Sequence, residues 1–305
     1  MSRIHEALKK AEEERAAIQP LDAIAVPHSQ VEAPAGPGVV SQAATVVSRS
    51  GSYLRFEDLR ARCAHPQWHL DPNLNIFLNS EMGAHGSEQF RTLRSRLYQL
   101  RADQPLHTLL VTSSIPTEGK TFVANNLAQA IVRQPDRRAL MIDADMRRPR
   151  LHLSLGAPLA PGLTDYLRGE ADELAIIQHG QEGNLCFIAG GNEVSNPSEL
   201  LSNGRLKTLL DHIAPVFDWV IVDSPPCLPV ADASVLADLC DGVLLIVRAG
   251  TTPIEAAQRA CQELQGRRIL GIVLNAVEEI HAYGTYYYNA YTDAYGPGEP
   301  KGSQD

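Results

Sequence analysis

The segment Leu109-Leu110-Val111-Thr112-Ser113-Ser114-Ile115-Pro116-Thr117-Glu118-Gly119-Lys120-Thr121 constrains the fold more than any other part of the chain. It reads as a short β run, a tight loop and a Gly-Lys-Thr tripeptide opening a helix. Phe122, Ala124, Leu127, Ala128 and Ile131 follow at the spacing that buries one helix face. This order aims backbone N–H groups and the positive end of a helix dipole at one point, where a phosphate can sit. Gly119 lets the backbone approach, Lys120 reaches β- and γ-phosphate oxygens, and the Thr121 hydroxyl is suited to Mg²⁺. Ser114, Pro116, Thr117, Glu118 and Phe122 complete the expected lining. The motif's first glycine is replaced by Ser114.

Two more apolar runs end in acid. Leu140-Met141-Ile142 leads into Asp143-Ala144-Asp145-Met146-Arg147, and Trp219-Val220-Ile221-Val222 leads into Asp223-Ser224-Pro225-Pro226. A lone Asp after a strand is most simply a turn or cap residue. Ligands of parallel α/β sheets, however, bind at the carboxyl ends of the strands. A phosphate loop, an Asp pair and a third Asp at three strand ends therefore point to one nucleotide.

The wider pattern agrees. Apolar runs at 107–113, 139–143, 185–189, 218–222, 242–247 and 269–274 alternate with helical patterns at 120–132, 162–168, 205–213, 231–239 and 253–265. Such alternation predicts a P-loop NTPase-like, doubly wound, mostly parallel sheet with helices on both faces. A further helix over 87–100 carries Phe90, Leu93, Leu97 and Leu100 on one face. Residues 1–18 read as an amphipathic helix, with Ile4, Ala7, Leu8 and Ala11 as its apolar stripe. Residues 19–52, rich in Ala, Pro, Val, Ser and Gln, read as a disordered linker. The domain is expected over 53–280, with 53–80 ambiguous and packing at its edge. A tail over 281–305 follows.

Among 305 residues the net charge is −9, which disfavours non-specific nucleic-acid binding. No apolar run approaches the roughly 18 residues that span a bilayer. Five cysteines without a C-x-x-C spacing read as free thiols, as in a cytoplasmic protein.

The tail holds six of the chain's nine tyrosines: Tyr283, Tyr286, Tyr287, Tyr288, Tyr291 and Tyr295. Their Gly, Asn, Thr, Asp and Ala neighbours build no core. Alone they describe a low-complexity aromatic tail. Beside a nucleotide site they become phenol hydroxyls available for phosphoryl transfer.

With these motifs in this order, the chain resembles the bacterial tyrosine kinases of the capsule and exopolysaccharide type (BY-kinases) in their stand-alone form. Residues 114–121 resemble that family's Walker A. Ile142-Asp143-Ala144-Asp145-Met146-Arg147 resembles its Walker A′, Val222-Asp223-Ser224-Pro225-Pro226 its Walker B, and the tail its tyrosine cluster. Glu88, Arg91 and Arg94 fit its E-x-x-R-x-x-R helix, which implies ring-forming contacts between subunits. Without the family, a simple i, i+3 pair within the helix is the better account of Glu88 and Arg91. Asn196-Pro197-Ser198-Glu199-Leu200-Leu201 also resembles a family segment.

The resemblance implies ATP and Mg²⁺ as cofactors and trans phosphorylation of the tail. It implies a separate membrane activator of the polysaccharide co-polymerase type, an opposing tyrosine phosphatase, and recruitment to the inner face of the plasma membrane. Lys120, Asp143, Asp145 and Asp223 are the expected catalytic residues. Thr121, Asp145 and Asp223 are expected on Mg²⁺, and Asp143 as the base for the phenol proton. Sequence alone lets Asp143 and Asp145 exchange those roles. Arg147 and Arg148 are placed to meet phosphate or these carboxylates. Asn275, just past the last strand, is expected at adenine or in a turn. Thr117 stands where many relatives have Gly, which suits a loop position with φ below zero and not one above it. The rival class is a positioning ATPase of the MinD/ParA kind, which carries an extra lysine where this chain has Ile115.

Overall fold

The computed structural model describes residues 54–78, 83–180 and 183–277. The expected N-terminal helix over 1–18, the linker over 19–52 and the tyrosine tail over 281–305 lie outside the described residues.

Seven strands form one sheet. They are β1 (Thr108–Ser113), β2 (Ala139–Asp143), β3 (Ile177–His179), β4 (Leu185–Ile188), β5 (Trp219–Asp223), β6 (Gly242–Arg248) and β7 (Ile269–Asn275). Their order is β3-β4-β2-β5-β1-β6-β7. All neighbours are parallel except β3 and β4. The alternation had located the six parallel strands. It missed β3, a three-residue edge strand too short to carry a period; its Gln178 also bridges Ala64.

The helices are α1 (Phe56–Arg62), α2 (Gly83–Asp103), α3 (Lys120–Val132), α4 (Leu151–Leu155), α5 (Leu163–Arg168), α6 (Pro197–Leu201), α7 (Arg205–Ile213), α8 (Asp232–Ala237) and α9 (Ile254–Glu263). They cover both faces, which is why β1, β2 and β5 are buried along their whole length. On one face Leu110, Leu140, Ile142, Val220 and Val222 pack with Phe56, Leu163, Leu209 and Leu236. On the other, Leu109, Val111, Met141 and Ile221 pack with Leu127 and Ile131 of α3 and Phe90 and Leu97 of α2. Each such side chain contributes about 1.5–3 kcal/mol by leaving water.

Two details differ from the expected pattern. The helix read over 87–100 extends over Gly83–Asp103, and Leu100 is 36% exposed, leaving Phe90, Leu93 and Leu97 to face the core. The segment before it is stitched to α3 through buried amides. Asn125 Nδ2 donates to Leu74 O (3.1 Å) and Asn75 Oδ1 (2.8 Å), and Asn126 Oδ1 accepts from Ile76 N (2.8 Å). These bonds fix the helix that carries Lys120 and Thr121 at its start. Among the described residues no helix is long and apolar enough to cross a membrane.

Candidate active site

Parallel register brings the three acidic strand ends together. Asp143 of β2 lies opposite Asp223 of β5, and Val111 of β1 lies opposite the same Asp223. From β1 the chain runs through Ser114–Gly119 into α3. Gly119 sits at φ 93°, and a Cβ there would lie 2.1 Å from Asn275 Nδ2, so only glycine fits.

Four side chains form one connected group. Lys120 Nζ pairs with Asp145 Oδ2 at 3.1 Å and lies 3.4 Å from Thr121 Oγ1. Thr121 Oγ1 donates to Asp223 Oδ2 at 2.7 Å. Asp143 is fully buried beneath them. Its Oδ1 accepts from Asp145 N (3.2 Å), and its Oδ2 accepts from Arg150 N (3.0 Å) and Leu151 N (2.9 Å). It thus ties down the loop that leads into α4. Asp145 Oδ1 accepts from Arg148 N at 3.2 Å.

The electrostatics are unbalanced: three carboxylates face one ammonium. Burial pushes the Asp143 carboxyl well above its ordinary value, and Asp223 pushes it further. Burial also raises Asp223, against the pull of Lys120 and the Thr121 hydrogen bond. Burial pulls the Lys120 ammonium down, but Asp223 and Asp145 outweigh it and leave its pKa raised. Asp223 Oδ1 and Ser114 Oγ are buried without a hydrogen-bond partner. A cation carried in by a phosphate ligand would answer both the excess negative charge and the orphaned oxygen. Among the described residues no three acidic, His or Cys side chains are arranged to hold a metal by themselves.

The remaining expected residues fall as follows. Thr117 has φ 69°, the alternative that a β-branched side chain disfavours. Its hydroxyl donates to Pro116 O at 2.6 Å. Phe122 is half-buried against Phe90. Asn275 Nδ2 donates to Glu118 O at 2.9 Å, inside the loop itself. Arg147 meets neither Asp143 nor Asp145; it forks onto buried Asp232 of α8 through Nε (2.7 Å) and Nη2 (3.1 Å). Ser198 Oγ donates to the same carboxylate. Glu88 and Arg91 pair with each other at 3.0 Å on the exposed face of α2, while Arg94 turns inward to Ala130 O at 2.6 Å. The six tail tyrosines lie outside the described residues. Sequence reasoning missed Asp232, and also Arg248 and Thr252, which touch the loop from β6 and beyond. No local pattern marks them.

Comparison with known proteins separates kinase from positioning ATPase. No protein-family model matches the chain. The tyrosine-protein kinase YwqD of Bacillus subtilis is 32% identical over 216 residues, 70% of this chain and 90% of YwqD. The chain belongs to the bacterial tyrosine-protein kinases. The tyrosine-protein kinase etk of Escherichia coli is 34% identical over 216 residues, but the chain spans only 30% of etk's length. The solved kinase domain of that E. coli enzyme superposes with a TM-score of 0.62 at 32% identity, covering 71% of this chain and 87% of that one. The BceF tyrosine kinase domain gives 0.59 at 27% identity, covering 72% of this chain and 96% of that one. The positioning-ATPase reading gives way to the bacterial tyrosine kinases, and Ile115, in place of the positioning ATPases' extra lysine, agrees.

Proposed function

We propose that this bacterial tyrosine kinase uses Mg·ATP to phosphorylate its own C-terminal tyrosines, between subunits, as a control on polysaccharide synthesis or export. The observation that supports this most is the convergence of Lys120, Thr121, Asp143, Asp145 and Asp223 on the carboxyl ends of three adjacent strands. Residues Ser114 to Phe122 hold the phosphates, with α3's N-terminal N–H groups and Lys120 facing their charge. Thr121, Asp145 and Asp223 hold Mg²⁺, which when bound neutralises charge on the phosphate oxygens. A phenol of pKa about 10 is protonated at neutral pH, so transfer needs an acceptor for its proton. Asp143 is that acceptor. Its raised proton affinity suits the task, and three backbone N–H groups set its aim while leaving it lone-pair capacity.

Glu88 and Arg91 offer an exposed polar surface for contact between subunits of a ring; Arg94 supports that helix from inside. Each phosphate added to the tail weakens its docking on an acidic site, so phosphorylation dissolves the ring. A separate membrane activator recruits the kinase to the inner face of the plasma membrane, and a tyrosine phosphatase resets it. Incubating the purified chain with Mg·ATP and its activator, then mapping peptides, should place phosphate within residues 283–295. Phosphate confined to Ser, Thr or the core would refute the assignment.

A further inference from the structure

Glu118 is out of character for a phosphate cradle. It is anionic, it sits between Thr117 and Gly119, and it is 1% exposed. Its carboxylate is fully engaged elsewhere. Oε2 accepts from Ile115 N at 2.7 Å, which closes the loop on itself. Oε1 accepts from the Thr252 hydroxyl, which comes from 134 residues further on, in the turn between β6 and α9. Thr252 Oγ1 in turn accepts from Arg248 N at 3.1 Å. The Arg248 guanidinium donates to Thr117 O (3.3 Å), and Asn275 at the end of β7 donates to Glu118 O (2.9 Å). Two neighbouring loop residues are thus held from the carboxyl ends of β6 and β7, and Asn275 packs against the third, Gly119.

These ties account for an otherwise puzzling backbone. A threonine at positive φ costs roughly 1–3 kcal/mol and persists only where its surroundings over-determine it. Here contacts from Arg248, Thr252 and Asn275 over-determine the loop's shape.

We propose that Glu118 and Thr252 are positioning residues whose contact presets the phosphate loop in its ligand-binding shape. The proposal rests on the reading of this loop as the nucleotide site. Neither side chain reaches the reacting atoms. A preset loop lowers the ordering cost of binding equally for substrate and transition state, so its loss falls on nucleotide affinity and KM and not on kcat. A residue that served stability alone would shift melting without that division.

The test uses the full chain and Mg·ADP as probe, with calorimetric titration of wild type, Thr252→Val, Thr252→Ser, Glu118→Ala and the Thr252→Val/Glu118→Ala double variant. Thr252→Val keeps the shape and removes the hydroxyl; it should weaken Mg·ADP about fivefold to tenfold and raise KM for ATP to match, with kcat within about twofold. Thr252→Ser, which restores the donor, should bind like wild type. The double variant should lose less than the sum of the two single losses, because the Thr252–Glu118 contact that each single variant removes can be lost only once. Wild-type affinity in a folded Thr252→Val chain, additive losses in the double variant, or a fall in kcat at unchanged KM would overturn the proposal. Binding is read without phosphoryl transfer. A chain that binds Mg·ADP yet phosphorylates no tyrosine therefore counts against the kinase reading alone, while a wild-type chain that binds none counts against both.

Discussion

The loop after β1 leads to Lys120 and the loop after β2 carries Asp145, two opposite charges that meet at one point, and the loops are held by different means. Ser114–Gly119 takes its ties from residues far along the chain: Arg248, Thr252 and Asn275. The loop over 144–150 is organised by the residue that begins it, since Asp143 accepts from the backbone of Asp145, Arg150 and Leu151. Its outward ties run to Lys120 through Asp145, to Asp223 O through Ala144 N, and to Asp232 through Arg147. The first loop is therefore adjustable from the far edge of the sheet, while the second carries its scaffold and its chemistry in one buried carboxylate. Removing a side chain should separate shape from reactivity in the first loop and remove both at once in the second.

The largest contrast lies within the Asp pair. Asp143→Ala strips three backbone N–H groups of their acceptor, so it should cost about 2–3 kcal/mol of stability along with tyrosine phosphorylation. Asp145→Ala removes one partner of Lys120 and one backbone acceptor, while Asp223 still faces the ammonium; it should abolish phosphorylation at a smaller stability cost than Asp143→Ala. Urea unfolding and a phosphotyrosine readout decide between them. Equal stability losses would show that Asp143 is not the scaffold of its loop.

A smaller effect concerns pH. Burial raises the Asp143 and Asp223 carboxyls, so the folded chain holds these protons more tightly than the unfolded one. Their stabilising contribution is full below the ordinary carboxyl pKa of about 4 and is lost as pH rises through the raised folded values. The ligand-free chain should therefore lose stability from this pair as pH climbs above about 4. Lys120, raised from an ordinary value of 10.5, keeps its contribution through that range. Asp223→Asn should flatten the loss and melt higher than wild type at pH about 8, while losing activity. A variant that melts lower at that pH would show that the charge is not the strain.

Much of this was legible in the residues. Continuous apolar runs identified the parallel strands, because both faces of β1, β2 and β5 are covered, and the carboxylates that close them marked where the ligand-facing edge lies. Other features left no local trace. Strand β3 is Ile177-Gln178-His179, with a single apolar residue, and is ordered by pairing with β4 and Ala64. Arg147 read as a partner for phosphate or for Asp143 and Asp145, because its actual partner, Asp232, stands 85 residues away. The sign of φ at Thr117 was not legible, because the bonds that hold its loop come from β6 and β7. The Asn275 amide reads from sequence as a contact for adenine or a turn residue; its bond to Glu118 O depends on a strand order that brings the end of β7 to the loop after β1.

The most direct test of the central claim pairs a chain that cannot catalyse with one that cannot be a substrate. Lys120→Met removes the charge that meets the phosphates while keeping the side chain's length, and should keep the circular dichroism of wild type. Alone with Mg·ATP it should gain no phosphate. Mixed with an active chain lacking residues 281–305, it should gain phosphate-unit mass increments that map to tyrosines between 283 and 295. A Lys120→Met chain that phosphorylates itself, or one that stays unmodified beside the active chain, would contradict the account.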